Sequence, residues 1–160
     1  MTEKMTRWGV GPRFALFSII YGIFTIVLRL CCPTIFQMDF IPYWILAMIG
    51  FALILIGLLF KFIAVVTVHR AFNAGMLCTQ GVFGLCRHPV YAAWIVFLVP
   101  GMMFLINSWI GLTVPLVMYI LLRILVIKEE EYLEQKFGKE YLDYKKTTPT
   151  VLPIGWMIRK

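Results

Sequence analysis

A chain of 160 residues has room for a single domain. Its apolar share of 61% and mean hydropathy of +0.87 exceed the roughly 45–50% apolar content of soluble proteins and exclude an ordinary water-soluble globule. The formal charge of +7 comes with no basic run or aromatic–basic alternation, which argues against a nucleic-acid partner and for contact with anionic membrane lipid.

Lys4, Arg7 and Arg13 precede a first apolar run that lacks a small-residue cleavage site and reads as an uncleaved membrane span at 14–32. Gly11-Pro12 marks its start and Pro33 its stop. The connector to Phe40 carries Asp39 and neither Lys nor Arg. The second and longest span covers 41–68, and its single charge, Lys61, is near enough to the end to snorkel. At ~1.5 Å per residue this helix outruns a hydrocarbon core of ~30 Å, so His69-Arg70 is expected to project into water. A loop at 69–88 follows. Pro89, lacking an N–H, suits the first turn of a third span at 89–106. Asn107-Ser108 predicts a tight turn and Trp109 an interfacial anchor; the fourth span is expected at 109–127, kinked at Pro115. Good helix formers continue from Lys128 to Phe137, with Gly138 as the predicted C-terminal cap. The tail 128–160 is nearly neutral, with seven basic against six acidic residues. Lys and Arg thus gather at the termini and the 69–88 loop. This predicts an all-α, polytopic helix bundle of about four spans with both termini in the cytoplasm. Cys31, Cys32, Cys78 and Cys86 form no expected disulfide framework. Gly22, Gly50 and Gly57 would let helices approach closely.

Two polar clusters stand out. Gly81-Val82-Phe83-Gly84-Leu85-Cys86-Arg87-His88-Pro89-Val90-Tyr91 lies where the chain enters the third span. Free N–H groups and the helix dipole favour an anion there, and Gly81 and Gly84 allow close backbone approach. A plain cytoplasmic loop whose Arg binds lipid phosphate accounts for the same residues equally well. The second cluster is Glu129-Glu130-Glu131. At ~100° per residue, Arg123, Ile127, Glu130 and Glu134 share one stripe and Glu129 faces a neighbouring side. Together the clusters offer anion-binding N–H groups, carboxylates for an ammonium, and apolar walls. S-adenosylmethionine is a ligand that would use all of them.

Gly81-Val82-Phe83, Arg87-His88-Pro89-Val90-Tyr91 and Glu129-Glu130-x-x-Leu133 resemble the integral-membrane methyltransferases, which include isoprenylcysteine carboxyl methyltransferases and phospholipid N-methyltransferases. The tail from Phe137-Gly138-Lys139-Glu140-Tyr141-Leu142-Asp143-Tyr144-Lys145-Lys146 to Pro149-Thr150-x-Leu152-Pro153 looks most like the isoprenylcysteine branch. The resemblance covers about residues 70–155. It implies that Gln80, Gly81, Val82 and Phe83 contact the cofactor through their backbone. It further implies that His88 and Tyr91 hold the cofactor's amino-acid end and flank its base, and that Glu129 and Glu130 take its ammonium. Arg123 is the candidate for orienting a substrate carboxylate. Ala93 stands where family members commonly have Gly, which would narrow the cleft.

The implied reaction is methylation of the carboxylate of an isoprenylated cysteine or similar lipid-linked, apolar substrate. The active site would face the cytoplasm, in a bacterial or archaeal inner membrane rather than the endoplasmic reticulum. A phospholipid or small apolar molecule methylated on nitrogen or sulfur is the alternative acceptor. An amine must first lose a proton, and no base beyond His88 offers itself. A zinc site from His69, Cys78, Cys86 and His88 has irregular spacing, and no metal is expected. A four-span transporter or structural protein is the non-enzymatic alternative; it calls for ionisable groups near the bilayer midplane, whereas these gather at one face.

Overall fold

The structure, a computed structural model, describes residues 10–151. Lys4, Arg7 and the closing Leu152-Pro153 of the motif lie outside them. Among the described residues all regular structure is helical. Helix α1 spans Gly11–Cys31, with Pro12 in its first turn. Its end is set by Pro33, which disfavours helical geometry at Cys32 and opens the one-turn helix α2, Pro33–Phe36. Helix α3, Tyr43–Ala74, stops only at Gly75, whose positive φ of 67° caps it. No breaker occurs before Gly75, so the helix includes His69 and Arg70 rather than ending at residue 68. The one-turn helix α4, Val82–Leu85, interrupts the following loop.

Helix α5, Pro89–Leu105, lies where the third span is expected and departs locally from regular α-helix. Residues Ala93–Leu98 are wound as π-helix. Pro100 explains the position: it cannot donate to Val96, and its ring would crowd that carbonyl in a regular α-helix. Asn107 makes the tight turn with a φ of 55°. A 3-10 turn, Ile110–Leu112, leads into helix α6, Thr113–Phe137. Pro115 falls in the first turn of α6, where an N–H has no intrahelical acceptor, so it starts the helix instead of kinking it. Gly138, with a φ of 55°, ends α6 and turns the chain into helix α7, Lys139–Thr147.

Helices α1, α3 and α6 are long and apolar enough to cross a membrane, and α5 is a shorter apolar helix. Their outward faces carry Phe17, Phe24, Phe51, Phe62, Leu116 and Ile124, which only lipid can cover favourably. The chain is an integral membrane protein. Helix α3 lies close along α5 because glycines leave room. A Cβ on Gly50 would stand 2.8 Å from the Gly101 carbonyl oxygen, and one on Gly57 would stand 2.7 Å from Phe97 Cβ. Gly22 differs: nothing lies within 4 Å of its notional Cβ. Helix α6 turns Val114, Met118, Leu122 and Val126 inward at four-residue intervals, against Phe14, Ile95, Val99 and Met103. At the end remote from His88, Arg29 donates to the Asn107 carbonyl and to Gln37, and the Trp109 indole donates to the Ile35 carbonyl at 2.7 Å.

Candidate functional site

The two polar clusters meet at one end of the bundle, and α7 joins them. Gly81, at a φ of 61°, begins the turn that buries Val82 and Phe83 against Ala64 of α3. The chain then runs extended through Cys86, and the Arg87 and His88 N–H groups donate to the carbonyls of Pro149 and Thr150 at 2.8 and 3.1 Å. Tyr144 reaches from α7 to donate to the Phe83 carbonyl at 2.6 Å. The segment after α6 is therefore strapped across the loop before α5.

An ion-pair cluster fastens the strap. Arg87 donates through Nε and Nη2 to one oxygen of Glu130, at 3.1 and 2.6 Å. Its remaining donors go to the carbonyls of Lys145 and Thr148 and to Thr150 Oγ1. Lys145 pairs with the other Glu130 oxygen at 3.1 Å and with Glu134. Burial alone would raise the Glu130 pKa. The approach of His88 and the hydrogen bonds and charge of Arg87, with help from Lys145, overcome it and hold the carboxyl down at about 2. Burial pushes the nearby Cys86 thiol up to about 11, which makes it a packed, protonated side chain rather than a nucleophile.

Beside this cluster opens a cavity of about 1210 Å³. Its polar end is walled by His88, Tyr91, Glu129, Lys136 and Tyr141, and the rest by apolar residues of α1, α3, α5 and α6, as deep as Met103 and Ile106. Three buried polar atoms at the polar end have no hydrogen-bond partner among the described residues: His88 Nε2, Glu129 Oε2 and Tyr141 OH. Leaving such groups unpaired costs about 1–3 kcal/mol each, so together they mark where a polar ligand would be bound. His88 Nε2 lies 3.5 Å from a Glu130 carboxylate oxygen. Tyr91 packs edge-on to Phe14 with ring centroids 5.1 Å apart and lies 5.9 Å from the His88 ring.

The structure thus brings His88, Tyr91, Glu129 and Phe83 onto one cavity wall. It does not bring the other candidates there. Gln80 and Gly81 are exposed beside the loop, Val82 is buried in its own small cluster, and Glu130 is engaged by Arg87 and Lys145. Arg123 faces outward on α6, 3.4 Å from the Tyr119 hydroxyl and off the cavity wall. Ala93 is fully buried and also off the wall. Sequence reasoning passed over Lys136, Tyr141, Tyr144 and Lys145. The last three sit at i, i+3 and i+4 of one short helix, and that spacing was the signal for an inward face. Among the described residues no three His, Cys, Asp or Glu side chains converge as a metal-holding group.

A family described as "protein of unknown function (DUF1295)" matches residues 1–148. The chain is 32% identical over 114 residues to a protein-S-isoprenylcysteine O-methyltransferase of Rattus norvegicus, covering 66% of this chain and 40% of that protein. It is 30% identical over 121 residues to a probable protein-S-isoprenylcysteine O-methyltransferase of Oryza sativa subsp. indica, covering 70% and 63% respectively. The chain therefore spans between 40% and 63% of the length of these two relatives. Among solved structures, the eukaryotic intramembrane Ras methyltransferase, an isoprenylcysteine carboxyl methyltransferase, matches with a TM-score of 0.65 at 22% identity. The match covers 89% of this chain and 53% of that one, and shows a shared fold.

Proposed function

The chain belongs to the DUF1295 family, and on that premise we propose that it is a membrane methyltransferase using S-adenosylmethionine to esterify the carboxylate of an isoprenylated cysteine or similar lipid-linked acceptor. The observation that carries this reading is the cavity itself. Unpartnered His88 Nε2 and Glu129 Oε2 stand at its polar end, and an apolar groove leads from them into the membrane-spanning helices. The donor set fits the cofactor: an acidic side chain for its ammonium, an imidazole for its carboxylate, and the aromatic faces of Phe83 and Tyr91 for its base.

When bound, S-adenosylmethionine supplies a methyl group activated on a sulfonium. The protein's part is positioning. Glu129 and His88 fix the amino-acid end, and the apolar walls exclude water and hold the acceptor's hydrocarbon chain. A carboxylate with a pKa of about 3.5 is ionised at neutral pH and attacks without a base. This suits a wall on which His88 is the one imidazole and is assigned to the donor. The names of the Rattus and Oryza relatives support the same acceptor class. By the distribution of Lys and Arg, the site faces the cytoplasm.

Calorimetric titration of S-adenosylmethionine into the detergent-purified protein tests the proposal. Saturable binding that is weakened at least about tenfold in both Glu129→Gln and His88→Ala is the expected result. A folded wild type that does not bind the donor, with lipid present, overturns it.

A further inference from the structure

The cavity wall contains two cations among the described residues, Arg87 and Lys136. Arg87 is spent: its Nε and both Nη nitrogens are engaged by Glu130, Lys145, Thr148 and Thr150. Lys136 forms no ion pair among the described residues. Its ammonium is held over the Phe137 ring at 5.1 Å and the Phe72 ring at 5.6 Å, the second contact reaching across the cavity mouth to α3. Aromatic faces orient an ammonium but accept none of its three N–H donors as a carboxylate or phosphate does. Lys136 is thus an exposed cation at the edge of the cavity, turned toward two aromatic rings and without a counter-ion among the described residues.

We infer that Lys136 receives the anionic group of the acceptor and thereby selects a carboxylate over an amine. The inference rests on the methyltransferase reading. The donor's own carboxylate is assigned to His88, which leaves Lys136 to a second anion. The donor brings a second positive charge, its sulfonium, into the same cavity. A cationic amine acceptor would add a third, and an anion would offset one. Arg123 cannot serve from the outer face of α6.

The test compares two acceptor probes, N-acetyl-S-farnesylcysteine and its uncharged primary amide, binding to wild type, Lys136→Met and Lys136→Arg. Binding is measured calorimetrically, without methyl donor, in vesicles of phosphatidylcholine alone and with phosphatidylglycerol added. In neutral vesicles the acid should bind Lys136→Met at least about tenfold more weakly than wild type, with Arg restoring most of the loss and the amide binding all three alike. Acid and amide weakened equally, or neither weakened, overturns the inference. So does a Met effect confined to vesicles with phosphatidylglycerol, which would assign Lys136 to lipid phosphate. Neither probe needs the methyl donor, so a wild type that fails to bind S-adenosylmethionine strikes the proposed function and not this site.

Discussion

Glu129 and Glu130 are neighbours in sequence with different environments. One step along a helix rotates a side chain by ~100°, which here separates a carboxylate on the cavity wall from one locked in an ion-pair cluster. Glu129→Gln is expected to cost donor affinity with little change in unfolding temperature. Glu130→Gln removes the charge paired with buried Arg87 and should cost about 3–5 kcal/mol, the usual penalty for stranding one member of a buried pair. Thermal unfolding and donor titration on the two variants separate these outcomes; a stability loss in Glu129→Gln as large as in Glu130→Gln would contradict the assignment. The sequence marked the glutamate cluster as chemical but not which member faces the ligand. That depends on what packs around the helix. Arg123 shows the same limit. It is only ~20° from Glu130 on the wheel, yet it faces outward because no strap crosses α6 at its level.

The strap formed by α7 and residues 148–150 is the element that joins the two polar clusters, and its hold depends on pH. The Glu130 carboxyl has a folded-state pKa of about 2 against an ordinary 4.5. A depressed pKa contributes stability that is fully present above the ordinary value and is lost as pH falls through the folded one. Once the intrinsic pH dependence of exchange is divided out, the protection of residues 139–151 should therefore fall between about pH 4.5 and about pH 2, ahead of α3 and α5. Tyr144→Phe, which leaves the buried Phe83 carbonyl without its donor, should raise exchange in the same residues at neutral pH and cost about 1–3 kcal/mol. Exchange rising uniformly through the transmembrane helices would show that the strap is no separate unit. At this scale the sequence was informative about the turn at Asn107 and the helix end at Gly138, but it ended the second span at residue 68, short of the Gly75 cap. The π-segment went unread because Pro100 sits inside an otherwise continuous apolar run. Hydropathy reports burial in lipid and is indifferent to how the backbone winds.

Across the whole molecule, hydropathy and charge placement made an all-α membrane bundle legible, since a membrane-spanning chain must satisfy its backbone within helices. Which helices touch was not legible, because a lipid-facing Leu and a helix-facing Leu satisfy the same pattern. Gly22, Gly50 and Gly57 show what contact adds. In sequence they are three equivalent small residues in apolar spans. In the fold, Gly50 and Gly57 set the approach of α3 to α5, and Gly22 borders the cavity. Gly50→Ala would press a methyl on the Gly101 backbone carbonyl, which has no rotamer by which to yield. The two helices must part, at a cost of about 1–3 kcal/mol. Helix α5 begins directly after His88 and carries Tyr91, and α3 carries Phe72, so the same parting should widen the cavity and weaken donor binding far from the substitution. Gly22→Ala meets open space and should leave unfolding temperature and donor affinity near wild type. Both quantities measured on both variants decide the matter. Equal effects would mean that α1 closes on the cavity, whereas a loss confined to Gly50→Ala would identify the α3–α5 contact as the frame that spaces the site.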